Sequence, residues 1–112
     1  MSQLTTHILD TSLGKPAQGV GISLYKPQGT EWAEMASGKT NTDGRLPGLL
    51  EADKILEPGT YRLVFDTDGY FKSIGTTGLY PSVTIDFKVT DESHYHIPLL
   101  LNPFGYSTYR GS

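Results

Sequence analysis

The side chains best suited to chemistry in this sequence are three histidines and an arginine. His7, His94 and His96 carry imidazoles, whose ordinary pKa lies near neutral pH, so that each can take up and release a proton. Arg45 adds a permanent cation with several N–H donors. These residues alone do not identify a reaction. Histidines on strands are most often surface or hydrogen-bonded residues, and an arginine in a turn is usually solvated.

The spacing of the histidines also raises a metal alternative. His94 and His96 form an H-x-H pair on one strand face, which can bind zinc, and His7 would supply a third ligand. The spacing is generic, and the set contains neither a cysteine nor an obvious carboxylate. The histidines alone therefore allow a metal site without favouring one, and zinc stays a minor alternative.

A second group of reactive side chains closes the sequence: Tyr109, Arg110, Gly111 and Ser112. These residues directly follow a predicted strand, where a frayed polar tail is the usual outcome. An aromatic ring, a permanent cation and a hydroxyl in succession are equally suited to the wall of a binding site. The pattern itself does not decide between these two interpretations.

The elements that must position these residues are short strands. Runs of β-branched and aromatic residues alternate with turns marked by Gly and Pro, which total 13 and 7. Such spacing predicts an all-β antiparallel sandwich of about eight strands. One short helix is expected, capped by Asp68 and ending at Ser73 or Ile74 before Gly75. A second turn of helix is expected within residues 50–59.

Strand alternation then assigns faces to the histidines. Successive side chains of a strand point to opposite faces, so burial of Ile8 and Ile97 would turn His7 and His96 outward. The same outward face carries leucines as well as histidines. A partly apolar outer face of this kind predicts a surface covered by a partner subunit.

Length and composition restrict the class of protein. The 112 residues predict a single domain spanning 1–112. A net charge of −3 argues against partners such as nucleic acid or anionic membrane. No cysteine is present, and no signal peptide or membrane-spanning run is seen. These features predict a cytoplasmic protein, with a peroxisomal location as the alternative in a eukaryote.

Three segments carry a resemblance that covers nearly the whole chain. They are LTTHILDT, GKTNTDGRLPGL and YHIPLLLNPFGYSTYRGS, in register from Leu4 to Ser112. Together they resemble the 5-hydroxyisourate hydrolases of the transthyretin-related family, and the YRGS ending is the most specific of these marks. The resemblance implies a transthyretin-like sandwich of two four-stranded sheets with a short helix. It also implies a homotetramer, a dimer of dimers, with active sites in the channel between dimers.

The resemblance further implies a reaction and its residues. The reaction is hydrolysis of 5-hydroxyisourate to 2-oxo-4-hydroxy-4-carboxy-5-ureidoimidazoline in urate degradation, without a cofactor. His7 and His96 would orient and deprotonate water and protonate the leaving nitrogen. Arg45 and Arg110 would bind the carbonyls and stabilise negative charge.

The same resemblance gives the closing residues a place in the substrate pocket. Tyr109 would pack against the substrate ring, with Gly111 beside it, and Ser112 would position substrate or a histidine through its hydroxyl or terminal carboxylate. The alternative is a non-catalytic, transthyretin-like carrier of a small ligand. Such a carrier has no need of two histidines and two arginines around one carbonyl.

Overall fold

The computed structural model describes residues 2–112, which form eight strands and one helix. The elements in chain order are β1 (Leu4–Asp10), β2 (Lys15–Pro16), β3 (Gly21–Gln28), β4 (Glu31–Lys39), β5 (Gly59–Asp66), α1 (Thr67–Ser73), β6 (Val83–Val89), β7 (Tyr95–Asn102) and β8 (Gly105–Thr108). Within the described part of the chain, no helix is long and apolar enough to cross a membrane.

The strands form two four-stranded sheets, which confirms the predicted transthyretin-like sandwich. One sheet has the order β2-β1-β7-β8 and the other β4-β3-β5-β6. Neighbouring strands are antiparallel with one exception: β1 and β7 run parallel. That parallel pair occupies the centre of its sheet. His7 lies in β1, His96 lies in β7, and His94 directly precedes β7.

The hydrophobic core lies between the sheets and follows the alternation of the strands. Ile8 of β1 and Leu99 of β7 are fully buried, as are Leu63 and Phe65 of β5 in the facing sheet. Removing side chains of this size from water stabilises the fold by about 1.5–3 kcal/mol each. The side chains between these buried residues of β1 and β7 therefore point to the opposite, outer face of the sheet.

The short helix is present, but its cap differs from the predicted one. Helix α1 spans Thr67–Ser73, and the side chain of Asp66, not Asp68, caps it by accepting a hydrogen bond from the Gly69 N–H at 3.0 Å. The chain enters the helix directly from the end of β5, which makes the last strand residue the cap. Asp68 instead lies in the first turn and pairs with Lys72.

One other local prediction is wrong. Residues 50–58 form no helix: only residues 52 and 53 lie in a turn, and Gly59 already begins β5. The buried Leu56 is held from outside the segment, since its N–H donates to the Gln3 Oε1 at 2.8 Å. A contact distant in sequence thus competes with the local helical pattern.

A buried carboxylate ties the helix to the sheet that carries the histidines. Asp10, at the end of β1, is fully buried and accepts hydrogen bonds at 2.6 Å from the Tyr70 hydroxyl and from the Ser12 hydroxyl. Burial raises the pKa of Asp10, but hydrogen bonds from Ser12, Tyr70 and the Leu13 N–H outweigh it, and the pKa is lowered. The ionised form is thus favoured by folding. This stabilisation is present above the ordinary pKa near 3.8 and is lost as pH falls through the folded-state value.

We expect Tyr70→Phe to lower the free energy of unfolding by about 1–3 kcal/mol at pH 7, because a buried carboxylate loses a donor. The difference should narrow below the folded-state pKa of Asp10, where the carboxylate is protonated in both proteins. Urea denaturation at several pH values measures both effects. Tyr80→Phe, at an exposed tyrosine, is the matched control and should change stability by less than about 0.5 kcal/mol. Equal stabilities of the Tyr70 variant and the control would contradict the role of this hydrogen bond.

Candidate active site

The parallel pair of β1 and β7 places the histidines on the outer face, as strand alternation predicts. Thr5 lies opposite His96, and His7 lies opposite Pro98. Ile8 and Ile97 are buried in the core, whereas His7 and His96 are half-buried on the other side. The two histidines therefore share one face of adjacent strands.

Arg45 reaches this face through a tight turn docked on the edge of β1. Asn41 organises the turn: its side-chain oxygen accepts the Arg45 N–H at 3.2 Å. The Ile8 N–H donates to the Gly44 carbonyl at 2.9 Å, and Arg45 then bridges to His7. Gly44 has a φ of +71°, and a Cβ there would lie inside van der Waals contact of the Ile8 carbonyl, so the turn requires glycine. The sequence thus fixes Arg45 beside the histidine strand.

The C-terminal tail reaches the same face by continuing along β7. Thr108, at the end of β8, lies opposite Leu99, and Gly111, three residues later, bridges to His96, three residues earlier. The tail therefore keeps the register of β8. The Gly111 N–H donates to the His96 carbonyl at 2.8 Å, which holds the tail against the histidine.

Gly111 lies so close to His96 that no larger residue fits in its place. A Cβ at this position would lie well inside van der Waals contact of the His96 Cδ2 and 3.4 Å from the Pro98 Cγ. The absence of a side chain therefore allows the tail to approach the imidazole ring. This close approach explains why a glycine occupies the third position of YRGS.

We expect Gly111→Ala to lower kcat by about 10²-fold, since a displacement near 1 Å of a positioned group can cost that much. The added methyl group must push either the tail or the His96 ring out of place. Gly105→Ala is the matched control on β8, because its Cβ would meet Asn102 only at an ordinary distance of 3.7 Å. Turnover measured on both folded variants checks the prediction. Equal activities would show that the close approach has no part in the site.

These segments enclose one cleft of about 440 Å³, within the usual range for small-ligand sites. Its walls are Thr5, Arg45, His94, His96, Tyr109, Gly111 and Ser112. Five of these seven residues were predicted as site residues. The other two, Thr5 and His94, were given no role in the reaction by the sequence, although alternation places both on the same outer face as His96.

The surroundings of His96 favour its neutral form. Burial lowers its pKa, and the positive charge of Arg45 and the neighbouring imidazoles of His94 and His7 lower it further. The pKa therefore lies below the ordinary value for histidine. A neutral imidazole at pH 7 has a free ring nitrogen and is able to accept a proton from water.

Two predicted site residues lie beside the cleft without lining it. His7 bridges to Arg45 and is close enough to influence the pKa of His96. Arg110 points to the other side of the tail: its guanidinium lies 4.3 Å from the centre of the Tyr95 ring, and it donates to the His94 carbonyl at 3.1 Å. The contact of Arg110 with the substrate carbonyls, which the resemblance implies, stays a prediction, but within this chain Arg110 does not line the cleft together with Arg45. The reason is strand alternation. In the register that Thr108 and Gly111 set, Arg110 lies opposite Ile97, whose side chain points inward.

The zinc alternative gains no support from this geometry. In residues 2–112 no three or more His, Cys, Asp or Glu side chains are grouped so as to hold a metal ion. The Nε2 of His94 and the Nδ1 of His96 both face the hydroxyl oxygen of Thr5, each at 2.8 Å. These nitrogens are therefore engaged with a hydroxyl group and do not converge on a vacant position.

Comparison with known proteins gives a consistent result at the levels of sequence and structure. The model of the HIUase/Transthyretin family matches residues 4–111. The chain is 48% identical over 114 residues to 5-hydroxyisourate hydrolase from Mus musculus, covering 99% of this chain and 96% of that protein. The structure of Klebsiella pneumoniae 5-hydroxyisourate hydrolase superposes with a TM-score of 0.82 at 38% identity, covering 100% of this chain and 94% of the other. Sea bream transthyretin in complex with thyroxine gives 0.90 at 30% identity, covering 97% and 94%. The chain belongs to the HIUase/Transthyretin family.

Proposed function

We propose that this protein is an enzyme that hydrolyses 5-hydroxyisourate to 2-oxo-4-hydroxy-4-carboxy-5-ureidoimidazoline, a step in urate degradation. The observation that carries the proposal is the single cleft that joins Arg45, His96, Tyr109 and Ser112 from three distant segments. Three relatives that are 45–48% identical over at least 98% of this chain are named 5-hydroxyisourate hydrolases. The chemistry of the cleft fits the reaction that their name describes.

The reaction adds water to a cyclic amide. A water oxygen forms a bond to the carbonyl carbon, the ring C–N bond breaks, and the carbon is left as a carboxylate. One proton leaves the attacking water and is delivered to the departing nitrogen, and the second is released to solvent when the new carboxylic acid ionises. His96, neutral at pH 7, is suited to take the first proton, and the neighbouring His7 shares the proton transfers.

The remaining residues of the cleft stabilise charge and orient the ring. Arg45 is exposed within the cleft and offers N–H donors to the oxyanion that develops on the carbonyl. The exposed ring of Tyr109 offers a flat apolar surface for a planar substrate, and the Ser112 hydroxyl supplies a polar contact. The residues that act on substrate are thus held by backbone pairing to β1 and β7.

A direct assay tests this function. Freshly prepared 5-hydroxyisourate decays in water, and the protein should accelerate the loss of its absorbance in proportion to protein concentration. The His96→Asn variant, at the same concentration, is the matched control for acceleration unrelated to the cleft. Decay at the spontaneous rate in the presence of folded wild-type protein would overturn the proposal.

A second candidate is a non-catalytic carrier of a small aromatic ligand. It is favoured by the close superposition on a transthyretin that holds thyroxine. A carrier has no requirement for an imidazole kept neutral beside an arginine and a tail held against it. Thyroxine binding without any acceleration of 5-hydroxyisourate decay would select this alternative.

The assembly proposed for this enzyme is a homotetramer, a dimer of dimers, with the sites in the channel between dimers. It is supported by Leu9 and Leu100, which lie opposite each other on the outer face and stay partly exposed beside the histidines. Light scattering at working concentration should therefore report four chains. A fully active monomer would contradict this assembly.

The cytoplasmic location stays a prediction from sequence.

A further inference from the structure

The hydroxyl of Thr5 lies between two imidazoles. Its oxygen is 2.8 Å from the Nε2 of His94 and 2.8 Å from the Nδ1 of His96. The two rings are nearly parallel, at 21°, with their centres 6.2 Å apart. Thr5 and His96 are directly opposite in the parallel pair of β1 and β7, so the backbone register itself sets this arrangement.

A hydroxyl has one proton to donate, and this limits the protonation of the two rings. Thr5 can donate to the Nε2 of His94 or to the Nδ1 of His96, but not to both. If both hydrogen bonds form, one of these two nitrogens must therefore carry a proton and donate it to Thr5. If Thr5 donates to His94, the Nδ1 of His96 must carry a proton and donate to Thr5. The Nε2 of His96 is then unprotonated, which is the form that a base requires.

The outer end of this bridge is held by the tail. Arg110 donates to the His94 carbonyl and to the Ser93 hydroxyl, both at 3.1 Å, and its guanidinium is stacked on the Tyr95 ring. The Gly111 N–H donates to the His96 carbonyl. Both histidines of the bridge are therefore fixed by adjacent residues of one segment.

We propose that Thr5 and His94 are positioning residues that hold His96 in the tautomer with its proton on Nδ1, leaving Nε2 free to take a proton from water. The assignment of Nε2 as the base rests on the proposed hydrolysis of 5-hydroxyisourate. The bridge itself rests on the two hydrogen bonds alone. Arg110 supports the same arrangement from outside the cleft, by anchoring the segment that carries His94.

The bridge also holds the charge that forms during turnover. When His96 takes a proton from water on Nε2, it becomes an imidazolium that keeps its Nδ1 proton and donates it to the Thr5 oxygen, while Thr5 donates to the Nε2 of His94. The imidazolium then gives its Nε2 proton to the departing nitrogen and returns to the neutral form with the proton on Nδ1. The proton taken from water is thereby the one given to the departing nitrogen.

Nitrogen NMR of the imidazole rings tests the bridge without reference to turnover. The chain has three histidines, so protein labelled at its histidine ring nitrogens and prepared without a histidine tag gives a simple spectrum. In the wild type at pH 7 we expect His96 with a protonated Nδ1 and an unprotonated Nε2. Thr5→Val, which replaces the hydroxyl by a methyl group of similar size, should move the proton toward Nε2, whereas Thr5→Ser should keep it on Nδ1. A wild-type His96 protonated on Nε2, or the same tautomer in the valine variant, would overturn the proposal.

Kinetics supply the second measurement. Thr5→Val and His94→Phe should each lower kcat about 10-fold with little change in KM, as loss of a supporting hydrogen bond does. Thr5→Ser and His94→Gln, which retain groups able to form the bridge, should stay within about threefold of the wild type. The double variant should be no slower than either single one, because the two residues act as one chain. Additive losses would overturn the proposal. The correct tautomer with no hydrolysis would support the bridge and overturn the proposed function instead.

Discussion

His96→Asn should lower kcat for 5-hydroxyisourate by about 10²-fold or more, as loss of a positioned proton-transfer group does. Asparagine places a polar group near the position of Nδ1, so the contact with Thr5 is imitated while the group at Nε2 is removed. The variant therefore separates loss of the base from loss of local structure. Turnover should fall far more than the melting temperature.

The wild-type pH profile gives a second measure of the same residue. The pKa of His96 is lowered by burial, by Arg45 and by the other two histidines, so the neutral base persists below the ordinary value of 6.5. As the pH is lowered, kcat/KM should accordingly begin to decrease with a midpoint below pH 6.5, and this decrease should be absent in His96→Asn.

Two comparisons make the His96 result decisive. His7→Asn should also lower the rate by about 10²-fold if His7 shares the proton transfers. Glu34→Gln, on the exposed strand β4 of the other sheet, is a control for general effects of substitution and should keep full activity. Near-normal turnover in a folded His96→Asn protein would remove this residue from the mechanism.

The second large effect is expected from deletion of residues 109–112. The protein should remain folded, because Tyr109 and Arg110 are exposed and contribute little to the core. Turnover should fall by at least about 10²-fold, since the deletion removes one wall of the cleft and the contacts that fix His94 and His96. Hydrolysis assays with circular dichroism on the same samples make the measurement.

Point variants then divide this loss between the two functions of the tail. Tyr109→Ala removes the aromatic surface and should act mainly on KM. Arg110→Ala removes the anchor of the His94 segment and should act mainly on kcat. A truncated protein with wild-type turnover would show that the tail is an ordinary frayed terminus.

Much of the fold and part of the site could be predicted from local patterns. Alternation in β1 and β7 was enough to place His7 and His96 on the outer face, and a glycine-containing turn was enough to place Arg45 in a loop. The parallel pairing of β1 with β7 was not readable, because Thr5 and His96 are 91 residues apart and no local signal reports their meeting. The bridge between Thr5 and two histidines depends on that pairing.

The direction of the Arg110 side chain is a different case. Tyr109 to Ser112 have the composition of a frayed tail, but the alternation of β8 continues through them. Applied from Thr108 onward, alternation puts Tyr109 and Gly111 on the face of His96 and Arg110 on the other side. The signal was therefore present in the sequence.

The distance along the chain between β1 and β7 also decides when activity can appear. The β4-β3-β5-β6 sheet joins strands within residues 21–89 and can begin to form while the ribosome is still extending the chain. The sheet that carries the cleft must close a loop of about 90 residues, which is entropically costly and slow compared with local pairing. The first strand must therefore wait, unpaired on its β7 side, until synthesis has passed Asn102 at the end of β7. Recovery of catalysis after dilution from denaturant would then report the final step of folding, later than the recovery of most strand structure.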